Sequence, residues 1–178
     1  MLIQTYNPIW KQHFETIKEV LQSALHGHTI AIEHIGSTSV PGLAAKPIID
    51  IDIVFPADAE FIAIKTDLSK IGYYHNGDQG IANREAFKRN EGLNKHPVLD
   101  EIEHHLYVCP ADSQELHRHL LFRNYLRRHN WAREEYGKLK YALAKETNQD
   151  RKAYALLKEL RAKELVESII NRAKEQIK

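Results

Sequence analysis

The segment Ile48–Phe55, Ile-Ile-Asp-Ile-Asp-Ile-Val-Phe, constrains this chain more than any other. A run of β-branched and aromatic residues between Pro47 and Pro56 predicts a strand. Side chains alternate faces along a strand, so Ile49, Ile51 and Ile53 are expected on a core face and Asp50 and Asp52 together on the other, their Cα atoms ~6–7 Å apart. Aspartate is depleted in strands, and two adjacent, half-buried carboxylates repel each other. A divalent cation offsets that repulsion. An all-oxygen donor set favours Mg²⁺ or Mn²⁺ over zinc. The alternative is a solvated strand face carrying two exposed aspartates.

Upstream, Thr29–Ile35 reads as another strand, followed at once by Gly36-Ser37-Thr38-Ser39. Glycine permits a tight turn and close backbone approach, and the hydroxyls with successive N–H groups suit phosphate oxygens. Ser and Thr also cap helices, so the turn alone is weak. It is not a Walker loop. Five residues separate Gly36 from Gly42, and Lys46 is followed by Pro47. The combination is more specific, because it places a phosphate-binding turn beside a carboxylate pair on the next strand.

The rest of the chain predicts an α/β front and a helical back. Pro8 to Leu25 carries an apolar stripe (Trp10, Phe14, Ile17, Leu21, Leu25) with Gly27 as terminator. A helix is expected from Pro56 to Ile71 with Phe61, Ile64 and Leu68 inward. Tyr73–Pro97, rich in Gly and Asn, predicts short strands and an exposed loop. Ile102–Cys109 predicts a further strand ended by Pro110. Three helices should follow: one from Asp112 or Ser113 to Arg128, one over Trp131–Lys145, and one from Arg151 to the end with Tyr154, Leu157, Leu160, Leu165 and Ile169 as its apolar positions. We expect one domain over 1–178, an α/β core at 1–111 and a helical extension at 112–178.

Charge divides along the same line. Residues 113–178 hold 16 Lys and Arg against 9 Asp and Glu, whereas residues 1–112 hold 9 against 15. Cations from the helices can therefore oppose a carboxylate-bound metal and a polyphosphate, although solvated helix faces give the same count. The N-terminus lacks a basic stretch followed by an apolar run, and no segment approaches a membrane span. The single cysteine, Cys109, sits in an apolar run and reads as a buried structural thiol. A reducing cytoplasm is the expected location.

Several stretches together are similar to the GrpB family (UPF0157 proteins) of the nucleotidyltransferase superfamily. They are Tyr6-Asn-Pro-x-Trp10, the block Ile32–Asp52, His105-Leu-Tyr-Val-Cys109 and His119-Leu-Leu-Phe-Arg-Asn-Tyr-Leu-Arg127. The resemblance implies a small mixed β-sheet flanked by helices, nucleotidyltransferase-like, with a C-terminal helical extension. It implies metal-dependent transfer of a nucleoside monophosphate from a nucleoside triphosphate to an acceptor, for which a small molecule is preferred. It also implies that Asp50 and Asp52 hold the metals and that Gly36, Ser37 and Thr38 hold the triphosphate. A third carboxylate usually completes such a site, and Glu103 is the candidate. By alternation it shares a face with His105 and Tyr107, while the resemblance aligns His105 more firmly, so either residue can fill that place. A non-catalytic nucleotide- or metabolite-binding protein is the competing reading. Fusion of relatives to dephospho-CoA kinase links it indirectly to coenzyme A metabolism.

Lys46, Arg84, Lys88 and Arg123 are further candidates for phosphate contact, with surface or salt-bridging roles as the alternative. His34 can contact ligand or be a satisfied structural histidine. His104, His105, His117 and His119 match no zinc ligand spacing, and adjacent strand residues face opposite ways. Nucleic acid is disfavoured because aromatic residues are sparse among the basic ones. The sequence leaves the oligomeric state open.

Overall fold

The computed structural model describes residues 1–57, 59, 61–90, 92 and 94–176. Its elements run α1 (Ile9–Ala24), β1 (Ala31–Ile35), a 3₁₀ turn (Ser37–Ser39), β2 (Ile49–Phe55), α2 (Phe61–Lys70), β3 (Tyr73–His75) and β4 (Glu85–Arg89). Then follow α3 (Pro97–Glu101), β5 (His104–Pro110), α4 (Gln114–Arg128), α5 (Asn130–Glu146) and α6 (Arg151–Glu175). The five strands form one mixed sheet in the order β1-β2-β5-β4-β3. Only β2 and β5 run parallel.

The expected alternation of β2 divides the sheet into two faces. Ile49, Ile51 and Ile53 pack with Leu106 and Val108 of β5 under Trp10, Phe14, Ile17 and Leu21 of α1. On the opposite face a second cluster joins Val40 and Leu43, in the segment after the 3₁₀ turn, to Tyr125, Leu126, Ala132, Tyr136, Ala162 and Ile169 of the three C-terminal helices. The segment between β1 and β2 is thus clamped between sheet and helices. No helix among the described residues is long and apolar enough to cross a membrane.

Helix ends follow their capping residues. Ser113 Oγ accepts from the Leu116 N–H, and Asp150 Oδ1 accepts from the Ala153 N–H at 2.7 Å, starting α4 and α6. Two expectations need correction. Helix α2 begins at Phe61 rather than Pro56, with Asp58 and Glu60 lying outside the described residues. Strand β5 begins at His104, because the unexpected short helix α3, with Pro97 in its first turn and His96 Nδ1 accepting from Val98 and Leu99, carries the chain to Ile102. Leu160, an apolar position of α6, points outward and is 75% exposed, because only one stripe of α6 reaches its neighbours.

Candidate active site

Strand register assembles the site. Asp50 pairs with Ile35 of β1 and His105 of β5, and Asp52 pairs with Glu33 and Tyr107. Asp50, Asp52, His105, Tyr107 and Glu33 therefore share the face turned toward the C-terminal helices. Asp50 is part-exposed and accepts a 2.8 Å hydrogen bond from His105 Nδ1 through Oδ1. A carboxylate only accepts, so Nδ1 carries a hydrogen and donates it to Asp50.

Asp52 is 1% exposed. Its Oδ2 accepts from His119 Nδ1 at 2.9 Å, and its Oδ1 is buried without a partner. His119 reaches Glu115 Oε1 with its other nitrogen, at 3.3 Å. Both ring nitrogens face carboxylates, an arrangement that favours the imidazolium. Burial alone would lower the His119 pKa, but the bonds to Asp52 and Glu115 outweigh it and hold it at about 9. Burial likewise pushes the Asp52 carboxyl up, opposed by His119.

The turn after β1 is built around Gly36. Its φ is +69°, and a Cβ there would overlap the Asp50 carboxylate, so only glycine lets turn and carboxylate meet. Ser39 Oγ donates to the Gly36 carbonyl at 2.6 Å. Thr38 Oγ1 gives its one hydrogen to the Ile48 carbonyl at 3.1 Å, tying the turn to the segment before β2. His34 Nε2 must then donate to Thr38 Oγ1, also at 3.1 Å, and the ring stacks on Phe14. Thr38 and His34 are scaffold of the turn. Burial lowers the His34 pKa to about 4.

Ser37 and Thr38 line a cleft of about 300 Å³, together with Lys46, Asp50, His105, Tyr107, Lys140 and Lys158. Lys140 of α5 is buried and donates to Ser37 Oγ at 3.0 Å and to the Ala44 carbonyl. Burial, with Lys158 nearby, lowers its pKa well below the usual lysine range. Lys46 lies 4.8 Å over the Tyr154 ring, its pKa lowered by burial and by Lys158 and Arg151.

Other expected residues lie elsewhere. Arg84 stacks 4.5 Å over Tyr107 and does not line this cleft, and its Nε is buried without a partner among the described residues. Arg123 donates to Glu33 Oε2 at 2.6 Å and to the His34 carbonyl, bracing β1 rather than facing the cleft. Glu103 precedes β5 and is ion-paired to Arg151 of α6, because the pairing sets His105, not Glu103, beside Asp50. Lys88 is exposed on β4 and lines a different cleft. Among the described residues no group of three or more His, Cys, Asp or Glu side chains is arranged to hold a metal ion.

His119, Lys140 and Lys158 were absent from the sequence-derived site. Two of them left a signal. Glu115, His119, Arg123 and Arg127 recur at four-residue spacing, a polar stripe that α4 lays over the turn and sheet. Lys140 falls within the buried stripe Ala132, Tyr136, Leu143 and Ala144 of α5, where a lone cation demands an explanation.

Comparison with known proteins places this arrangement. The Bacillus subtilis UPF0157 protein YqkA is 39% identical over 139 residues, covering 78% of this chain but 38% of YqkA. The chain thus spans well under half of that relative's length. The crystal structure of conserved protein GrpB from Enterococcus faecalis superposes with a TM-score of 0.77 at 30% identity, covering 96% of this chain and 98% of that one. Cid1 in complex with the UTP analog UMPNPP gives a TM-score of 0.55 at 12% identity over 79% of this chain and 42% of Cid1, a likeness of fold alone. The fold is nucleotidyltransferase-like. The family model described as GrpB protein matches residues 1–172, and the chain belongs to the GrpB family.

Proposed function

We propose that the chain is a metal-dependent nucleotidyltransferase that moves a nucleoside monophosphate from a nucleoside triphosphate to a small-molecule acceptor in a reducing cytoplasm. The observation that carries this reading is the cleft in which Ser37 and three lysines, Lys46, Lys140 and Lys158, face Asp50. A buried cation such as Lys140, without a carboxylate partner among the described residues, is expensive, and a triphosphate supplies the missing negative charge. Lys140 and Ser37 would hold its terminal phosphates, with Lys46 and Lys158 closing over them.

The carboxylate pair fits Mg²⁺ or Mn²⁺. Asp52 Oδ1 is a buried acceptor with no donor, and Asp50 keeps one oxygen free of hydrogen bonds to His105. Such a cation, when bound, neutralises charge developing on the phosphates. The acceptor oxygen would bond to the α-phosphorus, pyrophosphate would leave, and His105 Nε2, its ring oriented by Asp50, would accept the hydroxyl proton.

One observation favours the alternative of a non-catalytic nucleotide- or metabolite-binding protein. The His119 imidazolium already neutralises Asp52, and a histidine occupies the place beside Asp50. Titration calorimetry of ATP, GTP, CTP and UTP with Mg²⁺ or Mn²⁺ tests both readings. Metal-dependent binding lost in Asp50→Asn/Asp52→Asn supports a nucleotide site at the pair. Turnover of the bound nucleotide then separates enzyme from binder, and no binding of any triphosphate rejects the proposal.

A further inference from the structure

A second and larger cleft, about 820 Å³, opens on the other side of His105 and Tyr107, which line both clefts. Its origin lies in the strand register. Among the described residues β4 and β5 pair from Glu85↔Val108 to Phe87↔Leu106, after which β4 continues along β3 while α3 (Pro97–Glu101) lies outside the sheet. The gap between the diverging strands is lined by buried Ala86 with Tyr107 on the face of His105 and by buried Phe87 and Leu106 on the α1 face, and its charged lining residues are Lys88, Arg89, Lys95, Asp100, Glu101 and Glu103. Alternation adds a positional constraint. Ala86 pairs with Tyr107, so Lys88, two residues on, lies on the face that carries His105 and Asp50. Neither Lys88 nor Lys95 forms an ion pair among the described residues.

Resting on the nucleotidyltransferase reading, we propose that this cleft is the acceptor subsite and that its occupant is a small hydroxylated organic acid. Three observations converge on that chemistry. The volume lies in the range of about 300–1,000 Å³ typical of small-molecule pockets. Ala86, Phe87, Leu106 and Tyr107 suit an apolar body; among the described residues Arg89 is paired with Asp100 and Glu103 with Arg151, which leaves Lys88 and Lys95 against Glu101 and favours an anionic group at the lysine end. The two clefts meet at His105 and Tyr107, so a hydroxyl at the other end of the occupant reaches the junction where a donor held by Ser37 and Lys140 would present its α-phosphate.

Fluorescence titration of 6-hydroxy-2-naphthoate into the full chain tests this without nucleotide or metal. This probe combines an aromatic body, one carboxylate and one hydroxyl. We expect saturable one-site binding, amide shifts in a ¹⁵N spectrum centred on Ala86, Leu106 and Tyr107, and no displacement by saturating Mg–ATP. Lys88→Glu reverses an exposed charge and leaves the core untouched; it should weaken binding about tenfold with an unchanged urea midpoint. Absence of saturable binding, shifts mapping elsewhere, affinity within twofold of wild type in Lys88→Glu, or competitive displacement by ATP would each overturn the assignment. The donor reading fails separately: a chain that binds the naphthoate and no triphosphate keeps this cleft as a small-acid site and loses its acceptor role.

Discussion

Gly36 is held by two independent constraints, a left-handed φ and contact with the Asp50 carboxylate. Gly36→Ala should therefore cost roughly 1–3 kcal/mol from the backbone alone and also push Asp50 off its His105 partner. Urea unfolding and metal-dependent nucleotide titration should register both losses together. Lys140 behaves in the opposite sense. Its ammonium is buried against Ser37 and the Ala44 carbonyl, with no carboxylate paired to it among the described residues. Lys140→Met keeps the volume and removes the desolvated charge, so stability should hold or rise. Triphosphate affinity should fall by about tenfold to a hundredfold, the worth of one charge-assisted hydrogen bond. Calorimetry beside thermal unfolding separates the two effects. The glycine's role was legible because a Gly-Ser turn before Asp-x-Asp is a local pattern. The lysine's was not, because α5 comes near Ser37 only through the fold.

At the scale of elements, the helices differ in how much each residue contributes. Leu160 and Ile169 both belong to the apolar pattern of α6, yet one is 75% exposed and the other fully buried at 0%. Leu160→Gln should move stability by less than about 0.5 kcal/mol, whereas Ile169→Ala should lose about 2–5 kcal/mol through transfer and cavity terms. Chemical denaturation of the two variants checks the contrast. Periodicity located α6 correctly but could not tell which stripe finds a partner, since that depends on how α4 and α5 lie against it. Strands β3 and β4 were legible only as a Gly- and Asn-rich region with short strands. Three- and five-residue elements carry too few alternations to be read one by one.

Over the whole molecule, two histidines, one buried and one part-buried, set opposite limbs of the pH–stability curve. The folded pKa of His34, about 4, lies below the ordinary 6.5, so its stabilising contribution is complete above pH 6.5 and lost as pH falls toward 4. That of His119, about 9, lies above 6.5, so its contribution is complete below pH 6.5 and lost as pH rises through 9. Each limb is worth up to about 3 kcal/mol from the size of these shifts, and the maximum should fall near pH 6.5. Urea midpoints from pH 4 to 9 would trace the curve. His34→Phe, which retains the stack on Phe14, should flatten the acid limb alone, and a His119 variant should alter the alkaline one. The α/β front, the helical back, the β2 face that carries Asp50 and Asp52, and the turn at Gly36 all followed from residues close in sequence, because alternation, periodicity and glycine's conformational freedom act over a few residues. The partners of those carboxylates did not. His105 rather than Glu103 stands beside Asp50, His119 meets Asp52 across 67 positions, and Lys140 meets Ser37 across 103. Strand register and helix docking place such pairs, and both minimise energy over the whole chain rather than along any short stretch of it.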